Sequence, residues 1–222
     1  MEPKPPGVLS LVLWPALLTL AVTILRLVGE LQGWPVWLAG TAAGGDNAVL
    51  GISWLIFVFG LWFGLKLQRA GKGPRRPGIA LVVAIVGIAV VFGGMAALQA
   101  ADLVWFPDEQ NPGEPRGTMW FFVAMAAGCV VVAAAWPRAA LVTLVYAVLA
   151  RLPVVVVTWI ALGQPDWHTH YTQVPEFFLG VEESERAAFL LLPQITFWPA
   201  ITVLFGTAMA CLGAVLFPRR TA

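Results

Sequence analysis

Three charged residues, within apolar segments or close to the end of one, are the side chains of this chain best suited to chemistry. Arg26 and Glu30 are four positions apart, so on a helix they share one face. Arg151 lies about 18 Å along the apolar segment that begins at residue 139. A central arginine costs roughly 2.5 kcal/mol or more to insert in a membrane, and it persists by facing a partner or water. We therefore expect a polar, ligand-binding site of Arg26, Glu30, Arg151 and Gln194, with Glu30 as the partner of Arg151.

Three interpretations of these charges remain open at the level of sequence. The first is a helix–helix clamp, in which Arg151 bonds to Glu30 and to backbone carbonyls near Pro153. The second is a cavity that binds an anionic solute or a lipid headgroup, with Arg26 and Arg151 as its positive groups. The third is that Arg151 extends its long side chain to the membrane surface. A clamp predicts fully paired charges, whereas a binding site predicts a cavity beside Arg151.

The two histidines of the chain form a second candidate site. His168 and His170 would point the same way in an extended segment, so both could reach one metal ion. Asp166, Glu176 or Asp46 could supply oxygen ligands, and such a set suits zinc or copper. No third histidine or H-E-x-x-H motif supports the pair. The ordinary alternative is an amphipathic loop at headgroup level, so no cofactor is predicted, and zinc or copper is the alternative.

The composition identifies the class of protein. Hydrophobic residues make up 59% of the 222 positions and charged residues 11%, against about 25% charged in soluble domains. The net charge of +1 argues against nucleic acid as a partner. The sequence has neither a P-loop nor a G-x-S-x-G motif, and none of its three serines neighbours a histidine. An enzymatic function is therefore uncertain and less favoured than a non-enzymatic one.

Six apolar segments predict an all-α, polytopic membrane helix bundle that forms a single integral membrane domain over residues 1–222. A helix of about 20 residues crosses a hydrocarbon core of about 30 Å. The predicted transmembrane helices are 8–28, 48–67, 79–101, 119–135, 139–162 and 187–217. Asp46 or Asn47 is expected to cap the second, and Pro193 and Pro199 are expected to kink the sixth. Glycine and alanine at four-residue spacing predict close packing between these helices.

The basic residues predict the orientation. With the N-terminus inside, nine of the 13 basic residues fall in internal segments, from Lys4 through the loop 66–76 and Arg138 to Arg219 and Arg220. Lysine and arginine are retained on the cytoplasmic side. We expect both termini in the cytoplasm and a bacterial cytoplasmic (inner) membrane as the location, with an internal eukaryotic membrane as the alternative.

A parallel internal repeat is suggested by two similar segments. Trp14-Pro15 leads to Arg26, and Trp136-Pro137 leads to Arg151, which would relate spans one and two to spans five and six. The register slips by two residues after Trp-Pro and by one more before the arginine, and each slipped residue rotates a helical position by about 100°. The two arginines therefore need not share a face.

Three functions are consistent with these patterns. The first is a small transporter or a lipid- or solute-binding protein with a polar site between spans one, five and six. The second is a non-catalytic membrane subunit or scaffold of a larger complex. The third is an external-face, metal-dependent membrane enzyme that uses Asp166, His168 and His170. Expected partners are membrane lipids, a small anionic solute or headgroup, and either a second copy of the chain or other membrane subunits.

Overall fold

The computed structural model describes residues 7–45 and 48–218, and within these ranges the chain is helical, without β-strands. The N-terminal residues with Lys4, the predicted cap Asp46 or Asn47, and the terminal Arg219 and Arg220 lie outside the described residues. The described residues form eight α-helices: α1 Val8–Leu31, α2 Val36–Ala39, α3 Leu55–Arg69, α4 Pro77–Ala100, α5 Thr118–Ala135, α6 Pro137–Leu162, α7 Glu183–Ile195 and α8 Phe197–Leu216.

The predicted helical membrane bundle is confirmed by five long apolar helical segments. These are α1, α4, α5, α6 and the joined α7–α8, each long and apolar enough to cross a membrane. The remaining predicted span, 48–67, forms a helix only from Leu55, and its 15 residues cover about 22 Å. Residues 48–54 instead form turns, in which Val49 and Leu50 donate backbone hydrogen bonds to α2. The number of six spans and their orientation stay predictions.

The last apolar segment is broken at Thr196, between the two prolines that the sequence singled out. Thr196 has φ −119° and ψ −71°, which separates α7 from α8. Pro199 has no N–H to donate to the carbonyl of Ile195, so the ladder of helical hydrogen bonds is interrupted here. The Thr196 hydroxyl donates to the carbonyl of Leu192 at 2.6 Å. Residues of α7, before the break, form part of the wall of a cavity.

Helix α8 is the centre of the bundle, because it contacts α3, α4, α5, α6 and α7. Small residues set how closely its neighbours approach. A Cβ atom added to Gly60 would lie 2.7 Å from the carbonyl of Gly206, and one added to Gly64 would overlap the backbone of Ala210. Gly87 of α4 and Gly128 of α5 make the equivalent contact. The small residues predicted to pack helices therefore pack within the chain.

Buried hydroxyl groups fix α6 against α1 and α8. Thr19 of α1 and Tyr146 of α6 are hydrogen-bonded at 2.9 Å, and Thr143 of α6 bonds Thr207 of α8 at the same distance. Hydrogen bonds between helices add to packing where no hydrophobic effect operates between them. These contacts hold α1, α6 and α8 in the arrangement that places Arg26 and Arg151 around one space.

The suggested repeat does not correspond to equivalent helix starts. Trp136 precedes α6, is buried, and donates from Nε1 to the carbonyl of Lys72 at 3.1 Å. Trp14 lies inside α1, about two turns after its start, and is 65% exposed. Pro137 is the first residue of α6, whereas Pro15 is internal to α1. The two Trp-Pro pairs therefore have different structural roles.

Two loops meet at the end of the bundle that holds the candidate site. The loop between α4 and α5 pairs with itself through Trp105 and Arg116. A single β-bridge between Gly113 and Phe178 joins it to the loop between α6 and α7. The loop between α6 and α7 returns His170 and Tyr171 to the bundle.

Candidate functional site

Glu30, in the last turn of α1, is the most enclosed charged group of the site. Its side chain has no exposed surface and accepts three hydrogen bonds. Arg26 Nε donates to Oε1 at 2.6 Å, and His170 contributes two donors. Arg26 also donates from Nη2 to the carbonyl of Gly40 at 3.0 Å. The four-residue spacing makes the Arg26–Glu30 pair a local product of the helix.

His170 anchors the loop between α6 and α7 to α1. Its backbone N–H donates to Glu30 Oε2 at 3.0 Å, and its Nδ1 lies 2.5 Å from Oε1. Burial lowers the pKa of His170 below its ordinary value, against the upward effect of the Glu30 carboxylate, and the Arg26 charge lowers it further. A carboxylate can only accept a hydrogen bond, so the neutral imidazole carries its proton on Nδ1, the ring nitrogen that faces Glu30. The lone pair is then on Nε2.

Arg151, predicted to pair with Glu30, has other partners. It is 7% exposed, donates from Nη1 to Gln194 Oε1 at 3.2 Å, and lies over the ring of Trp198 with 4.3 Å between its Cζ and the ring centroid. The expected Arg151–Glu30 hydrogen bond is absent, and Glu30 instead accepts from Arg26 and His170. Among residues 7–45 and 48–218, no carboxylate lies within ion-pair distance of Arg151.

These groups surround a cavity of about 380 Å³ between α1, α6, α7, α8 and the loops. Its polar lining includes Arg26, Arg151, His170, Tyr171 and Gln194, and the lining residues that the structure describes include no aspartate or glutamate. Apolar and aromatic side chains complete the wall, notably Phe178, Phe189, Phe197 and Trp198. An apolar cavity with a few convergent polar groups is the usual form of a small-ligand site.

Tyr171 is influenced by the charges of Glu30 and Arg26 on α1 and by that of Arg151 on α6. Its pKa is raised by burial first and by the Glu30 charge second, while both Arg26 and Arg151 lower it. The net upward shift keeps the phenol protonated at neutral pH. Its hydroxyl has no hydrogen-bond partner among the described residues and is not fully enclosed by protein. Tyr171 therefore adds a second donor, beside the guanidinium of Arg151.

Arg26, Arg151 and Gln194 of the predicted site line the cavity together, while Glu30 stands behind it as the acceptor for Arg26 and His170. The aromatic residues Trp198 and Tyr171 were not predicted to belong to it. Trp and Tyr are enriched at membrane interfaces, so the sequence alone could not distinguish these two residues from interfacial anchors.

The predicted metal ligands do not converge. His170 faces Glu30, whereas His168 lines a separate cleft with Gln164 and Arg186. In the part of the chain that the structure describes, no three or more His, Cys, Asp or Glu residues are grouped to hold a metal ion. Asp46, a further predicted ligand, lies outside the described residues. The zinc or copper site thus has no support from this geometry.

Comparison of the chain with protein-family models, with curated proteins and with solved structures finds no match in any of the three.

Proposed function

We propose that this integral membrane protein binds a small anion, or the anionic headgroup of a lipid, in the cavity beside Arg151, as a transporter or a binding protein. One observation carries the proposal. A buried guanidinium lines a cavity whose described lining residues contain no acid, and its one hydrogen-bond partner there is the amide of Gln194. Arginine recognises carboxylate and phosphate oxygens through paired hydrogen bonds.

No acidic side chain among the described residues neutralises Arg151, and this leaves its charge available to an anionic ligand. A charged side chain in the membrane interior costs at least about 2.5 kcal/mol, and the contact with Trp198 returns about 2 kcal/mol when desolvated. An amide partner does not neutralise the charge. A bound anion would do so, and it would also use the N–H groups that Gln194 leaves available.

The charges of the site are paired in one place and face a cavity in another. Arg26 and Glu30 form a buried ion pair within α1, at 2.6 Å, instead of the predicted clamp between Arg151 and Glu30. Arg151 has the cavity expected of a binding site. A scaffold would need only the first arrangement, so the cavity beside Arg151 favours a binding protein over a scaffold.

The test is to measure anion binding by purified protein in nanodiscs of zwitterionic lipid, with Arg151→Gln as the variant. The probes are inorganic phosphate in solution and phosphatidic acid in the nanodisc. A charge-assisted hydrogen bond is worth about 1.5–3 kcal/mol, so the substitution should weaken binding roughly 10- to 100-fold. Arg116→Gln is the matched control, because Arg116 also stacks on a tryptophan, Trp105 at 5.3 Å, but is exposed and outside the cavity.

Equal binding by wild type and Arg151→Gln would refute the proposal, as would the absence of binding to wild type. If binding is found, flux of the same anion into proteoliposomes separates a transporter from a binding protein. Uptake that depends on Arg151 would identify transport.

We also propose that the cavity faces the non-cytoplasmic side of a bacterial inner membrane. Arg151 lies just past the middle of α6, and the cavity loop that carries His170 and Tyr171 follows the end of α6 opposite to Pro137. The basic loop 66–76 meets the start of α6 through the Trp136–Lys72 hydrogen bond, and this basic end is the one expected in the cytoplasm. Labelling of a cysteine placed at residue 168 or at residue 74 by a membrane-impermeant reagent on intact cells tests the orientation. Only the first should react.

A further inference from the structure

The hydrogen-bonding groups of the cavity are not all donors, and this restricts the kind of anion that fits. Arg151 and Tyr171 offer N–H and O–H groups. His170 offers the opposite, because its Nδ1–H is used by Glu30 at 2.5 Å and its Nε2 then carries a lone pair. The His170 side chain is 18% exposed and Nε2 has no partner among the described residues, so it can meet a ligand.

The groups around His170 keep the imidazole neutral. Glu30 and Arg26 face it from α1, Tyr171 adjoins it in its own loop with the two ring centroids 3.9 Å apart, and Arg151 lies across the cavity on α6. Glu30 shares its charge with Arg26 at 2.6 Å, so the carboxylate does not need a protonated imidazole to balance it. Burial acts in the same direction and lowers the pKa of His170.

We propose that the ligand is a phosphate group that retains a P–OH, as inorganic phosphate or a singly protonated phosphate monoester, with its charged oxygens on Arg151 and its hydroxyl donating to His170 Nε2. This inference rests on the proposed anion-binding function. It names the chemistry of the ligand and the residue that selects it. Phosphodiesters, sulfate and carboxylates carry no such proton near neutral pH. They would place an oxygen lone pair against the lone pair of Nε2.

Selectivity follows from the cost of leaving a polar group unpaired. A site built to hydrogen-bond a ligand hydroxyl rejects the analogue that lacks it by as much as ~10⁴-fold. His170 is partly exposed, and water can satisfy Nε2 in part. We therefore expect a smaller preference, roughly 10- to 100-fold, for phosphate over sulfate.

The decisive experiment compares phosphate with sulfate at about pH 8, by calorimetry or by displacement of radioactive phosphate from full-length protein in zwitterionic nanodiscs. Both ions are then dianions of similar shape, and only phosphate keeps an O–H. Phosphate should bind at least 10-fold more tightly. In His170→Phe the ratio should fall to about one, while in His168→Phe, which changes the histidine outside the cavity, the wild-type ratio should remain.

The outcomes separate this inference from the function on which it rests. Sulfate binding as tightly as phosphate to wild type overturns the role of His170 and leaves the anion site intact. No binding of either ion, and none of phosphatidic acid, overturns both. The phosphate-to-sulfate ratio in wild type tests whether the ligand needs a P–OH, even if His170→Phe does not fold.

A second comparison identifies the source of the phosphate. Nanodiscs with phosphatidic acid are compared with nanodiscs with phosphatidylglycerol at about pH 6, where a monoester, whose second pKa is ≈ 6, still holds part of its P–OH. Displacement of radioactive phosphate by phosphatidic acid alone indicates a lipid ligand. Displacement by neither lipid, with tight binding of inorganic phosphate, indicates a soluble one. Equal displacement by both lipids contradicts the inference, because a diester has no P–OH.

Discussion

Replacing Glu30 by glutamine removes one charge while preserving the size of the side chain, and the structure allows the cost to be worked out. Glu30 accepts hydrogen bonds from Arg26 Nε at 2.6 Å, from His170 Nδ1 at 2.5 Å and from the His170 backbone N–H at 3.0 Å. Hydrogen bonds to a charged group are each worth about 1.5–3 kcal/mol. Glutamine keeps one carbonyl oxygen, but its NH₂ group would face donors.

We expect Glu30→Gln to lower the free energy of unfolding by about 3 kcal/mol, since breaking a buried ion pair typically costs about 3–5 kcal/mol. The measurement is reversible unfolding in mixed micelles with increasing denaturing detergent. Glu183→Gln is the control, because Glu183 pairs with Arg186 at 3.2 Å but its side chain is 84% exposed. An exposed pair contributes less than about 1 kcal/mol. Equal losses in the two variants would refute the view that Glu30 holds the loop to α1.

Two further predictions concern helix packing and pH. Gly64→Ala should destabilise the bundle by about 1–3 kcal/mol, because its Cβ would overlap the backbone of α8. Gly93→Ala, where nothing lies within 4 Å, should instead stabilise it by about 0.5–1 kcal/mol, and thermal unfolding of both variants checks the opposite signs. Because the pKa of His170 is lowered on folding, its contribution to stability is present above its ordinary value of 6.5 and is lost as the pH falls through the lowered value. The melting temperature should fall between about pH 7 and pH 5 by less in His170→Phe than in His168→Phe, and equal falls would contradict this assignment.

The helices were predictable because length and hydropathy determine which segments can cross a membrane. Those properties did not reveal that residues 48–54 are turns, because the residues of that segment are largely apolar. Its conformation depends on hydrogen bonds from Val49 to Trp37 and from Leu50 to Leu38, which join it to α2. The break at Thr196 was foreseeable, since a proline stands on either side and proline cannot donate to the helical ladder.

The site was predictable only where its contacts are local. The Arg26–Glu30 pair follows from four-residue spacing, which any helix brings together. The contact of Glu30 with His170 joins residues 140 apart and depends on how the loop folds back. The metal interpretation assumed an extended segment, whereas His170 lies in a turn in which Thr172 N donates to the carbonyl of Thr169. The turn directs the two histidines to different surroundings.

The histidine and the arginine therefore do not act as the sequence spacing suggested, and their roles depend on Glu30. Glu30 accepts hydrogen bonds from Arg26 and His170, whereas Arg151 contacts Gln194 and Trp198. The same carboxylate holds the proton of His170 on Nδ1 and so turns Nε2 into an acceptor. The cavity therefore combines a cation without an acidic partner among the described residues with an acceptor on His170. A ligand that matches both must carry negative charge and a proton together.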